Sequence, residues 1–258
     1  MDRSRATGSI LASLLIIGAS LFPGIPANAD EAPQAALSGV LYVAHGVVFD
    51  QSFIPIGTTA EVADLVDRSD LPSKGELSAG LRTYSARHGE SSPEASSFDE
   101  VGSSDEGASF RGTAGIDCGG KKETFVLGEW NRAPWPATGI RSGHSALRCG
   151  KSNPGGGGWS HFWVDGHRAD FARIVASSGG PTDDLNMRAF LRSFVISQTL
   201  EWPDNVVSLD RTNSFQYSTY LELYDTRTGS MRSFTAYVAV GRSTENVVTA
   251  WPSGAIGD

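Results

Sequence analysis

The last third of the chain constrains the fold most. "SFQYSTYLELYD" (214–225) alternates large apolar and small polar residues, the period-two pattern of a strand with one face on a core. "DTRTG" is turn chemistry, and "MRSFTAYVAVG" (231–241) and "ENVVTAW" (245–251) supply two further strands joined across "RSTE". Strands this closely connected pair as an antiparallel meander. Ahead of them, Met187, Phe190, Leu191, Phe194, Val195 and Gln198 trace a mostly apolar stripe at helical spacing, with Thr182 as the expected N-cap after Pro181. A shorter helix is expected from about His167 to Ala176, burying Phe171, Ile174 and Val175 and ended by Gly179-Gly180. Two helices packed on one face of an antiparallel meander make an α+β fold.

Upstream, "ETFVLGEW" and "HSALRC" have strand character around a Pro-rich loop with Trp130 and Trp135. Residues 38–56 are compatible with two short strands, and "TAEVADLVDRSD" with an amphipathic helix carrying Val62, Leu65 and Val66 on one side. Between 85 and 115 the composition turns to Ser, Glu, Gly and Asp. Such a stretch buries too little apolar surface to offset its ordering entropy, so a flexible linker is expected. At the start, Arg3 and Arg5 precede an apolar run from Ile10 to Phe22, and Ala27-Asn28-Ala29 offers a cleavage site. That run is shorter than the roughly 18 to 20 residues of a spanning helix, and reads as a secretory signal peptide. The expected organisation is therefore a signal peptide (1–29), a small acidic region (30–84), a linker (85–115) and an α+β domain (116–258), with the mature protein secreted and free of the membrane.

Two further features fit export. Cys118 and Cys149 are the only cysteines, and an even pair in an exported chain is expected to form a disulfide. Charge is also unevenly spread: residues 30–113 hold 5 Lys/Arg against 14 Asp/Glu, whereas residues 114–258 hold 14 of each. The acidic excess either keeps an exported segment soluble or masks a phosphate-binding cleft downstream.

The stretch "GWSHFWVDGH" (158–167) puts two of the five histidines, His161 and His167, among aromatic residues after a glycine run. Imidazoles suit acid/base work because they titrate near neutrality, so one can accept a proton while the other donates. Spacing alone also admits two unrelated surface histidines. "LRCG", the glycine-rich loop, the aromatic-flanked His161, His167 opening a helix and the terminal "YVAVGRSTENVVTAWP" together resemble the C-terminal toxin nucleases of the barnase/EndoU/RelE-like superfamily, over about residues 116–252. The resemblance implies metal-independent RNA cleavage through attack of a ribose 2′-hydroxyl, giving a 2′,3′-cyclic phosphate. It implies His161 and His167 as the acid/base pair, Arg242 neutralising transition-state charge, and Thr249 bonding a phosphate oxygen or orienting a histidine. Ser160 and Trp251 are the expected substrate-binding positions; the family often has a basic residue at the first and usually a Tyr at the second. RNA is the implied substrate, an immunity or inhibitor protein a further partner, and no cofactor or metal is expected.

Other signals are weaker. "CGKS" (149–152) lacks the glycine that a phosphate loop needs at Ser145. His144, Cys149, His161 and His167 include no C-x2-C pair for zinc. "RHGE" (87–90) reads as loop, and His45 in "VAHGV" as a strand histidine.

Overall fold

The computed structural model describes residues 37–88, 118–151, 156–164 and 167–253. The expected signal peptide and positions 89–115 of the expected linker lie outside the described residues. The fold is α+β, built on one mixed sheet of nine strands. β1 (Val40–Ala44), β2 (Val47–Phe49) and β3 (Pro55–Thr58) lead into helices α1 (Thr59–Arg68) and α2 (Lys74–His88). β4 (Val126–Arg132) and β5 (Gly143–Arg148) are followed by α3 (Trp159–Val164), α4 (His167–Ser177) and α5 (Asp184–Ala189). α5 runs on through a π-helical stretch, Phe190–Ile196, into α6 (Ser197–Glu201). β6 (Asn205–Leu209), β7 (Ser214–Asp225), β8 (Met231–Gly241) and β9 (Asn246–Ser253) complete the sheet.

The meander expected at the C-terminus is present as β7–β8–β9, both pairs antiparallel. The whole sheet, ordered β3-β2-β1-β7-β8-β9-β5-β4 with β6 also on β7, departs from a pure meander because β5 joins β9 in parallel. Residues 37–88 are not set apart from the rest. β1 pairs antiparallel with β7 from Val40↔Asp225 to Ala44↔Leu221, and β6 takes the same edge of β7 lower down, from Asn205↔Ser218 to Leu209↔Ser214. Where these two strands meet, Asp204 bridges the gap: its carboxylate accepts the Tyr220 N–H at 2.6 Å and lies 3.7 Å from His45 Nδ1. His45 itself occupies the β1–β2 turn at φ 50° and not a strand.

Helices cover both faces, where one was expected, because β1 and β7 are apolar on both sides. Val40, Tyr42 and Leu221 join the main core with Phe171, Phe190, Phe194 and Val238. Leu41, Val43 and Tyr224 face the other way, against Val62, Val66, Leu77 and Leu81 of α1 and α2. Thr58 starts α1 with a reciprocal capping box to Glu61. α2 approaches closely because residue 80 is glycine; a Cβ there would stand 2.6 Å from Tyr224 Cε1. Residues 85–88, expected as the start of the linker, continue α2, and its last residue His88 stacks on Tyr84 (4.4 Å) and Tyr220 (5.1 Å). Arg87 and His88 are therefore helical, where a loop was expected. The 14 acids counted in residues 30–113 are partly consumed locally: Asp64 and Asp67 both bind Arg82, and Glu61 serves the cap.

The helix at 184 is capped by Asp183 and not by Thr182; the Asp183 carboxylate accepts from the N–H groups of Leu185 and Asn186. A carboxylate there also complements the positive end of the helix dipole, which a threonine hydroxyl does less well.

Candidate active site at the edge of strand nine

The segment that carries the histidines is fastened at both ends. Cys118 and Cys149 form the expected disulfide, with α-carbons 5.5 Å apart. The Cys149 carbonyl then accepts the Ser160 N–H (2.9 Å), and the Val248 carbonyl of β9 accepts the Gly158 N–H (2.7 Å). Glycine is required at the crossing. Gly150 (φ 63°) and Gly158 (φ 87°) both take left-handed conformations, and a Cβ would lie 1.5 Å from the Gly157 carbonyl oxygen in the first case and 2.5 Å from that of Arg148 in the second. This knot docks α3 beside β9, with Trp159 and Phe162 buried beneath it and Trp159 stacked on Trp163 at 4.7 Å.

His161 is the third residue of the short helix α3, and His167 is the first residue of α4. Both helices pack on β9. The His167 ring lies 6.3 Å from the Trp251 indole, which stacks on Tyr237 of β8 at 5.4 Å. His167 Nδ1 is 3.9 Å from Asp170 Oδ2. The other oxygen of that carboxylate is engaged by Arg173, so Asp170 is held in place beside the ring. In the sequence, the i,i+3 spacing of Asp170 from His167 is the signal for this proximity.

Thr249 pairs with Ala239 two residues from Trp251, so both side chains are on one face of β9. Its hydroxyl is buried and has no hydrogen-bond partner among the described residues. Ser160 is half-buried next to His161.

Arg242 is not brought to this group. Five residues separate it from Tyr237, the partner of Trp251, which puts it about 16 Å further along the strand direction. Its guanidinium is spent on Asp210 (2.5 Å) and Ser208, and lies 5.0 Å over the Phe215 ring. Its backbone N–H donates to the Asn213 carbonyl. Arg242 thus ties the β8–β9 turn to the residues between β6 and β7.

No group of three or more His, Cys, Asp or Glu placed to hold a metal ion occurs among the described residues, and no helix among them is long and apolar enough to cross a membrane. No family model, curated protein or solved structure matches the chain.

Proposed function

We propose that the protein is a secreted, metal-independent ribonuclease, with His161 and His167, on the two helices packed against β9, as its acid/base pair. One observation carries this reading: His167 lies 3.9 Å from Asp170 and, between ring centres, 6.3 Å from Trp251, whose strand face also carries the Thr249 hydroxyl, without a hydrogen-bond partner among the described residues. The chemistry is a transphosphorylation. One imidazole takes the proton of a ribose 2′-hydroxyl, the 2′-oxygen attacks the adjacent phosphorus, and the other imidazole protonates the 5′-oxygen as it leaves. Thr249, whose hydroxyl is buried, serves by orienting a histidine, and Trp251 offers a face on which a base stacks. RNA is the substrate, and an immunity or inhibitor protein is the partner such an enzyme calls for. Purified protein should convert an RNA oligonucleotide to a 2′,3′-cyclic phosphate product with or without chelator, and His161→Ala or His167→Ala should each abolish the reaction. Full activity in either variant removes that histidine from the mechanism.

A second reading, a secreted binding or envelope protein of the same fold without chemistry, is favoured by Arg242. With its charge committed to Asp210, it leaves the phosphate without the cation expected for it. Retention of RNA or another ligand by a protein that cleaves nothing would support this alternative.

A further inference from the structure

Away from β9, the end of β4 and the end of α6 enclose a cleft of about 590 Å³. That is ample for a small organic molecule. Its lining includes Pro134, Trp135, Trp202 and Pro203 together with Glu201. The walls are fixed by backbone bonds: Ala133 N–H to the Leu200 carbonyl (2.9 Å), Trp202 N–H to the Gln198 carbonyl (3.0 Å), and Trp135 N–H to the Ile140 carbonyl (2.9 Å). The cleft is preformed, and binding in it spends little on ordering.

Three features select the occupant. First, Trp202 is 50 % exposed at the rim, an unusual place to leave an indole that nothing covers. Second, the Glu201 carboxylate accepts one hydrogen bond, from the Ser197 hydroxyl (3.1 Å), and has no Lys or Arg partner among the described residues. Arg132, which also lines the cleft, is 6 % exposed and engaged by Glu245 at 2.8 Å. Third, the cleft stands at the carbonyl end of the helix that closes at Glu201, the negative pole of its dipole. Two indoles, a carboxylate without a counter-ion and a helix C-terminus all attract positive charge, and the rings and prolines demand that the charge carry apolar substituents. A phosphate would be repelled here, and a neutral apolar group would leave Glu201 unpaired.

We infer that this cleft binds an alkylated ammonium ion, held by Glu201 and by the faces of Trp135 and Trp202. The site is independent of the ribonuclease reading. Such a cation exists free, as in choline, or as the headgroup of a zwitterionic lipid.

The test is tryptophan fluorescence of the full protein titrated with choline, with its neutral carbon isostere 3,3-dimethylbutanol, and with phosphatidylcholine vesicles. A saturable change with choline, and none with the isostere, is expected; Glu201→Gln should weaken it at least tenfold and Trp202→Ala abolish it. Both variants should unfold with the cooperativity of the parent, which separates a lost ligand contact from a lost fold. Saturation by vesicles alone would assign the headgroup as the source. An equal response to choline and the isostere, unchanged binding in Glu201→Gln, or no saturation by either source overturns the inference.

Discussion

The Arg242 guanidinium stands 2.5 Å from the Asp210 carboxylate, 32 residues earlier in the chain, and this pair staples the β8–β9 turn to the β6–β7 connection. Asp210 is 88 % exposed, so the ion pair is worth at most about 1 kcal/mol. Arg242→Ala should therefore lower stability by about that amount in urea denaturation. Any RNA cleavage should fall less than about tenfold, because removing a group that stabilises transition-state charge costs on the order of a hundredfold or more. A loss of that larger size would mean that Arg242 leaves Asp210 to serve the phosphate. Asp210→Ala would then accelerate cleavage.

The disulfide acts on the candidate site as well as on stability. Cys149 receives the Ser160 N–H, so the bridge anchors α3 and with it His161. For a sequence separation of 31, chain-entropy arguments give about 3 to 4 kcal/mol, or a fall in Tm of roughly 6 to 16 °C on reduction. Calorimetry of the parent and of the Cys118→Ser/Cys149→Ser variant should agree on that shift. Cleavage by the variant should be impaired even at temperatures where it is still folded.

Residues 114–258 should not fold alone. Removing β1, α1 and α2 strips Tyr224 of Leu41, Val43, Leu77 and Leu81, and leaves the β7 edge from Leu221 to Asp225 unpaired. Circular dichroism of that fragment should show no cooperative melt. A sharp transition like that of the full chain would mean that the N-terminal strands are dispensable.

Glu201 gives the protein a pH dependence of its own. Burial holds its carboxyl above the ordinary value of 4.5, only partly offset by the Ser197 hydroxyl. The folded state therefore binds more protons than the unfolded one just above pH 4.5, and Glu201's contribution to stability falls as pH rises through the window up to its folded value. Glu201→Gln should remove that decline and be more stable than the parent at neutral pH. His45 runs the other way: burial lowers its pKa below 6.5, so its share is present at neutral pH and fades on acidification. Comparing parent and Glu201→Gln at each pH isolates the carboxylate, since His45 is common to both. Equal stability of the two proteins from pH 4.5 to 8 would contradict this role.

Local patterns and remote contacts divide what could be read in the sequence. β7, β8 and β9 were legible because alternation and turn residues are local, and so was the apolar stripe of the helix through Phe194. α2 was not, although Leu77, Leu81 and Tyr84 carry its buried stripe, since small and polar residues between them dilute the pattern. β6 is short and mostly exposed. The pairing of β1 with β7 joins residues far apart in the chain and leaves no local trace. In the candidate site the histidines, Thr249 and Trp251 announce themselves by motif. The engagement of Arg242 by Asp210 does not, because it depends on how the β6–β7 connection folds back against the last hairpin.

In the proposed reaction a ribose 2′-hydroxyl is the nucleophile, and this protein activates it. This is tested most directly with two oligonucleotides that differ only at one ribose: an RNA with a single cleavable linkage, and its counterpart carrying 2′-deoxy at that nucleotide. Chelator-resistant cleavage of the first, with a 2′,3′-cyclic phosphate end, and no cleavage of the second are expected. Equal cleavage of both, or an intact all-ribose substrate after prolonged incubation with the folded, disulfide-bonded protein, would contradict it.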